Sequence, residues 1–286
     1  MVQWQKFVAK NLEDRTKVEE DVQAGLRLER KDFFHYLFGT KDPETGKLGY
    51  DLDELYGECE LLTIAGSDTT AIVTAAMTFY LAHNPRIQKK LAEEILSTFP
   101  SAADIKGGLQ LHNCKYMRAF IYETLRMAPP VPADLARTVR AGGTTVEGQF
   151  FAPGTLLSTS PYCLSYNSSI YPDPFTFRPE RWLTVEDDPE GSSAEEVALA
   201  ESGHCAFSTG SRGCVGKNMA WLEMEIVLAK MVHALEIRPD PRDNIGAGGP
   251  ALAIGRREVG QYQLYDAFVA MRNGPVVQFK ERSPSM

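Results

Sequence analysis

No two of the five cysteines, Cys59, Cys114, Cys163, Cys205 and Cys214, form a Cys-x-x-Cys pair, and their number is odd. Their wide spacing argues against a disulfide framework or a structural zinc site, so a reducing compartment is the expectation. Cations are in deficit, 30 Lys and Arg against 38 Asp and Glu, for a formal net charge of −8. A groove that tracks phosphates needs clustered Lys and Arg, so no nucleic-acid partner is expected. Long apolar runs are missing as well. The stretch "AIVTAAMTFYLA" has only 12 residues and is preceded by Asp68, Thr69 and Thr70, too short and too polar at its edge to span a bilayer. The opening "MVQWQKFVAKNLEDRTKVEED" lacks an apolar core flanked by positive charge, so neither a signal peptide nor an N-terminal anchor is expected in this chain. No internal repeat is visible.

What remains is an ordinary globular composition: 286 residues, 43% hydrophobic and 24% charged, enough for one large domain or two small ones. Helical periodicity dominates to about residue 127. Asp51 or Asp53 as N-cap and Pro85 beyond the end predict one unusually long helix from Asp51 to His83. "PRIQKKLAEEILSTF" and "NCKYMRAFIYETLRM" repeat apolar residues at three and four spacing and predict amphipathic helices packed on the long one. From residue 128 the texture is mixed. "MAPPVPADLARTVRAGGTTVEGQFFAPGT" carries turn residues and short β-branched runs that predict a small sheet. Residues 161–215 read as loop-rich. Within them "VEDDPEGSSAEEVALAE", with seven carboxylates and no Lys or Arg, reads as a solvated surface loop without the ordered spacing of a metal site. "GKNMAWLEMEIVLAKMVHALEI" predicts another strong helix, and "DAFVAMRNGPVVQFKER" a β-hairpin about Asn273-Gly274.

"FSTGSRGCVGKNMA" sets one cysteine among glycines and an arginine just before a helix. A helix N-terminus offers free N–H groups and the positive end of a dipole, which favour a thiolate at Cys214. A thiolate is either a nucleophile or a metal ligand. The nucleophile needs an activating base, for which His204 alone is thin support. Iron ligation explains more of the neighbours. Gly210 and Gly213 permit tight turns against a flat ligand, Arg212 can pair with a carboxylate, and Gly216 lets the helix approach closely.

"FSTGSRGCVG" matches the pattern Phe-x-x-Gly-x-Arg-x-Cys-x-Gly, and in it the chain resembles the cytochrome P-450 haem-thiolate monooxygenases. Three further motifs agree in order and spacing. "ETLR" resembles the family's Glu-x-x-Arg pair, Glu123 and Arg126. "FRPERW" resembles its Pro-Glu-Arg-Phe element, with Trp182 where Phe is usual and Arg181 as third member of a Glu-Arg-Arg network. "AGSDTT" resembles the oxygen-activating stretch of its long central helix. Similarity of "SYNSSIYPDPFTFRPERWL" to fungal members is of texture only.

The resemblance implies a mainly α fold with small β-sheets, the C-terminal portion of the cytochrome P-450 fold, forming one truncated haem domain over 1–286. It implies haem b with Cys214 as iron ligand, held among Arg137, Phe207, Arg212 and Gly216, and Asp68 with Thr69 delivering protons to dioxygen. Ile64, Ala65 and the loop from Val131 to Leu135 would line the substrate side. The implied reaction inserts one oxygen atom from O2 into a small lipophilic substrate, with electrons from NADPH through a cytochrome P-450 reductase, in a setting such as secondary metabolism. The resemblance covers nearly all of this chain but only the C-terminal part of a family member, without its membrane anchor, a further propionate-binding helix and the elements roofing the substrate. Two expectations follow: a monooxygenase part that works when completed, or a truncated, non-catalytic haem-binding protein. As written, the sequence implies a cytoplasmic location, or the face of the endoplasmic reticulum membrane where an anchor precedes it.

Overall fold

A computed structural model describes residues 3–26 and 32–282, and these divide into two compact units, one up to Asp68 and one from Thr69 onward. The first holds α1 (Gln3–Gln23), α2 (Phe33–Gly39) and the start of α3 (Leu52–His83). Its core joins Val8 and Leu12 of α1 to Leu55 and Cys59 of α3, with Phe34, Leu37 and Phe38 packed around them. Asp32 caps α2 through the His35 N–H and also takes Arg15 in a two-pronged ion pair, with Nε at 2.8 Å from Oδ2 and Nη2 at 2.8 Å from Oδ1. One carboxylate thus starts a helix and ties it to its neighbour.

α3 is 32 residues of unbroken helix, about 48 Å at the ordinary rise per residue. Its start is closed reciprocally: the Glu54 N–H donates to the Asp51 carboxylate and the Asp51 N–H to the Glu54 carboxylate, each at 2.9 Å. Taken whole, α3 is the one described helix long and apolar enough to cross a bilayer, because the window extends beyond the 12-residue run. A core helix passes the same test, and the second half of α3 lies in the core of the second unit, where Ile72, Val73, Ala76, Met77 and Phe79 to Ala82 are buried.

That unit is built on α4 (Pro85–Thr98), the short α5 (Leu109–His112), α6 (Lys115–Met127), α7 (Pro161–Ser165), α8 (Ala194–Gly203) and α9 (Lys217–Ala234). α4, α6 and α9 pack on one another, each giving its apolar stripe to a core that the end of α3 joins. The N-terminus of α6 lacks a side-chain cap of its own. Glu94 of α4 supplies one, accepting the Tyr116 and Met117 N–H groups at 2.9 and 2.8 Å.

Eight short strands form four antiparallel pairs: β1 (Arg137–Thr138) with β4 (Leu156–Leu157), β2 (Thr144–Val146) with β3 (Gln149–Phe151), β5 (Leu235–Pro239) with β8 (Val277–Glu281), and β6 (Leu264–Tyr265) with β7 (Met271–Arg272). The hairpin expected about Asn273-Gly274 does not form. Gly274 does take a left-handed φ of +80°, but the strands on either side pair with different partners, β7 with β6 and β8 with β5. Pro275, which has no N–H for a ladder, follows Gly274 directly.

The acidic run also departs from the expected loop. Its second half is α8, started by a capping box in which Ser193 and Glu196 exchange hydrogen bonds. Its first half is paired rather than merely solvated: Asp188 and Lys90 are 2.5 Å apart, Lys115 reaches Asp187 at 2.5 Å, and Glu190 pairs with Arg86.

Candidate functional site

The loop before α9 is shaped by two backbone choices. Gly210 sits at φ +72°, which L side chains rarely adopt, and starts a 3-10 turn over Gly210–Arg212. The Cys214 N–H then donates to the Phe207 carbonyl at 2.8 Å, closing the loop on itself. The Cys214 side chain is exposed, two residues before the first turn of α9, whose N-cap Gly216 provides no side-chain cap. A Cβ added at Gly216 would stand 3.8 Å from Cys214 Sγ, so this glycine keeps the space beside the sulfur clear. Val215 is 96% exposed, an apolar side chain left open beside a thiol. Arg212 is exposed on the same loop. Arg137, exposed on β1, turns its guanidinium onto the carbonyls of Leu135 and Ala136 at 2.9 and 3.1 Å.

Glu123, Arg126 and Arg181 converge in the interior, at 0%, 1% and 3% exposure. Helical spacing makes the first pair two-pronged: Arg126 Nε and Nη2 donate to the two Glu123 oxygens, both at 2.9 Å. Arg181, on a 3-10 turn over Pro179–Trp182, adds Nε at 3.0 Å, and the Arg178 backbone N–H a fourth bond at 2.9 Å. The fifth donor is the Trp182 indole N–H, 2.9 Å from Glu123 Oε2. Burial works against an ionised Glu123 and is the largest single influence, yet Arg126, Arg181 and the donated N–H groups together outweigh it and hold the carboxyl down at about 2. The spare Arg126 donors reach the carbonyls of Ser165 and Pro174, fixing α7 and the following loop to α6.

Asp68 is exposed and Thr69 half-buried on α3, the former closing the first compact unit and the latter opening the second. The next hydroxyl, Thr70 Oγ1, points to Glu223 of α9 at 3.4 Å, so α3 has a polar contact with the helix that follows Cys214. Reading the sequence missed this contact, and missed His204 and Trp182 as members of a buried cluster. Only Trp182 carried a visible signal, as the larger residue in "FRPERW".

The donor set around Cys214 has a chemical consequence. Among the described residues no group of three or more His, Cys, Asp or Glu is placed to hold a metal ion. A metal held by Cys214 would take its remaining donors from outside this set of side chains.

The cytochrome P450 family model matches residues 3–248. The chain belongs to the cytochrome P450 family. Among curated proteins it is 36% identical over 281 residues to the cytochrome P450 monooxygenase AKT7 of Alternaria alternata, covering 95% of this chain and 53% of that protein. It is 39% identical over 259 residues to the cytochrome P450 monooxygenase apf7 of Gibberella fujikuroi, covering 88% and 47%. The crystal structure of a cytochrome P450, CYP102L1, shares the fold at a TM-score of 0.73 and 22% identity, covering 97% of this chain and 56% of that one. This P450 chain thus spans about half the length of the curated relatives it matches. It is a mainly helical C-terminal portion of the fold with small sheets, and the family implies a haem cofactor. The exposed Cys214 thiol just before α9, with no group of three or more His, Cys, Asp or Glu placed for a metal ion among the described residues, fits that group.

Proposed function

We propose that this chain is the haem-binding part of a monooxygenase that inserts one oxygen atom from O2 into a small lipophilic substrate, with electrons from NADPH through a reductase. The observation that supports it most is the closed Phe207–Gly216 loop presenting one exposed thiol at the start of α9. Haem, when bound, supplies the redox chemistry of dioxygen.

The chain's own residues do the rest. Cys214 would hold the iron through its sulfur, from a position just before α9. Arg212 and Arg137 offer guanidinium groups to the two carboxylates of a porphyrin. Asp68 and Thr69 hold and pass protons at their carboxylate and hydroxyl, polar groups close to Gly66 in the middle of α3. The fungal relatives make secondary metabolism the setting we favour.

The test uses the full-length enzyme with its reductase. Thr69→Ala keeps haem and substrate binding but diverts electrons from NADPH into peroxide or water, so product formed per NADPH consumed falls. An unchanged ratio makes Thr69 a packing residue. A second reading is a haem-binding protein without turnover, and product from the isolated 286-residue chain at the full-length rate contradicts it.

A further inference from the structure

Trp182 stands where this family usually has phenylalanine, and the difference is one N–H. The indole is 7% exposed and its nitrogen donates to Glu123 Oε2 at 2.9 Å. A buried indole N–H needs a partner, and a bond to a carboxylate is among the stronger ones a protein makes. With phenylalanine here, Oε2 would keep only Arg126 Nε.

The bond also fixes the ring, and the ring sits at the head of a series of contacts. Trp182 stacks on Tyr122 at 5.2 Å between centroids and 21° between planes, and Tyr122 lies 4.7 Å from Trp221 of α9. Trp221 lies 6.4 Å from Phe207, whose carbonyl receives the Cys214 N–H. His204, the C-cap of α8 at the start of the same loop, meets Trp182 and Tyr122 edge-on at 5.3 and 5.1 Å. The start of the loop, at His204 and Phe207, therefore rests on a ring series whose head the buried carboxylate anchors, and the Cys214 N–H is bonded back to that start.

We propose that Trp182 is a positioning residue: its N–H binds the Glu123 carboxylate and its ring, through Tyr122 and Trp221, holds the 204–216 loop in the geometry that presents Cys214. Its importance for chemistry rests on the reading of Cys214 as iron ligand. The physical coupling does not, and the experiment is chosen to keep the two apart.

The test is amide hydrogen exchange on the 286-residue chain without haem, comparing wild type with Trp182→Phe, which keeps a stacking ring and loses the N–H. Exchange across 204–216, the Cys214 amide above all, should rise about tenfold or more, the scale of one hydrogen bond to a charged group. Exchange in the β5–β8 pair, which shares the larger core but has no ring in contact with Trp182, Tyr122 or Trp221, should stay within about twofold. The acid unfolding transition should also move to higher pH, because Glu123 has lost a donor to its ionised form. Tyr122→Leu is the second variant. It leaves the N–H bond in place and should still loosen the loop, and it decides the matter if Trp182→Phe does not fold. A loop as protected as wild type in either variant overturns the proposal, as does equal acceleration of the loop and the β5–β8 pair. Failure of Cys214 to bind iron leaves these outcomes unchanged and appears only in a haem spectrum.

Discussion

An ionised Glu123 with no solvent access is held by five N–H groups, three of them from arginine side chains, and removing the carboxylate strands the cations rather than the anion. Glu123→Ala leaves Arg126 and Arg181 buried beside each other, a loss of about 3–5 kcal/mol in chemical denaturation. A change below about 1 kcal/mol contradicts the network's structural role. Acid separates two groups of opposite kind. His204 is lowered to about 4, first by burial and then by Lys217, whereas an unfolded imidazole takes its proton near 6.5. The folded state therefore binds fewer protons between those values, and His204's share of stability, complete above about 6.5, is lost as pH falls toward about 4. Glu123's share is complete above the ordinary carboxylate range near 4.3 and is lost as pH falls toward about 2. His204→Phe should flatten the decline of the urea midpoint in the upper window and leave the lower one in place. An unaltered decline in the upper window contradicts this assignment.

At the scale of elements, α8 and α6 are held by acidic side chains at their starts in different ways. Ser193→Ala breaks the capping box of α8 and should cost about 1 kcal/mol, with faster amide exchange confined to its first turn. Glu94→Leu removes a cap delivered across the core and should loosen the first turn of α6, while Ser193→Ala leaves that turn untouched. Periodicity was enough to read α4, α6 and α9, because each turns one apolar stripe to a shared core. It was not enough for α8, whose Ala and Val residues have no clear stripe, although Ser-x-x-Glu at 193–196 was a legible start signal. The pairings of Asp187, Asp188 and Glu190 with Lys115, Lys90 and Arg86 join residues some 70 to 100 positions apart, which no local pattern carries. The same holds for the strands beside Gly274: the glycine's left-handed backbone is written locally, but partner choice belongs to the folded neighbours. Around Glu123, the Arg126 contact follows from i, i+3 spacing, whereas the Trp182 and Arg178 donors depend on how the 3-10 turn meets α6.

At the scale of the whole molecule, this cytochrome P450 chain is about half as long as the relatives it resembles, and its proposed ligand is open to solvent. The central claim lies deeper than turnover: Cys214, alone among the five cysteines, is the iron ligand. It is tested by adding haem to the 286-residue chain, reducing it under carbon monoxide, and recording the absorption spectrum of wild type beside Cys214→Ser. The account predicts the band of a thiolate-ligated carbon monoxide complex in wild type and its loss in Cys214→Ser; the same band in both proteins, or its absence from wild type, contradicts it.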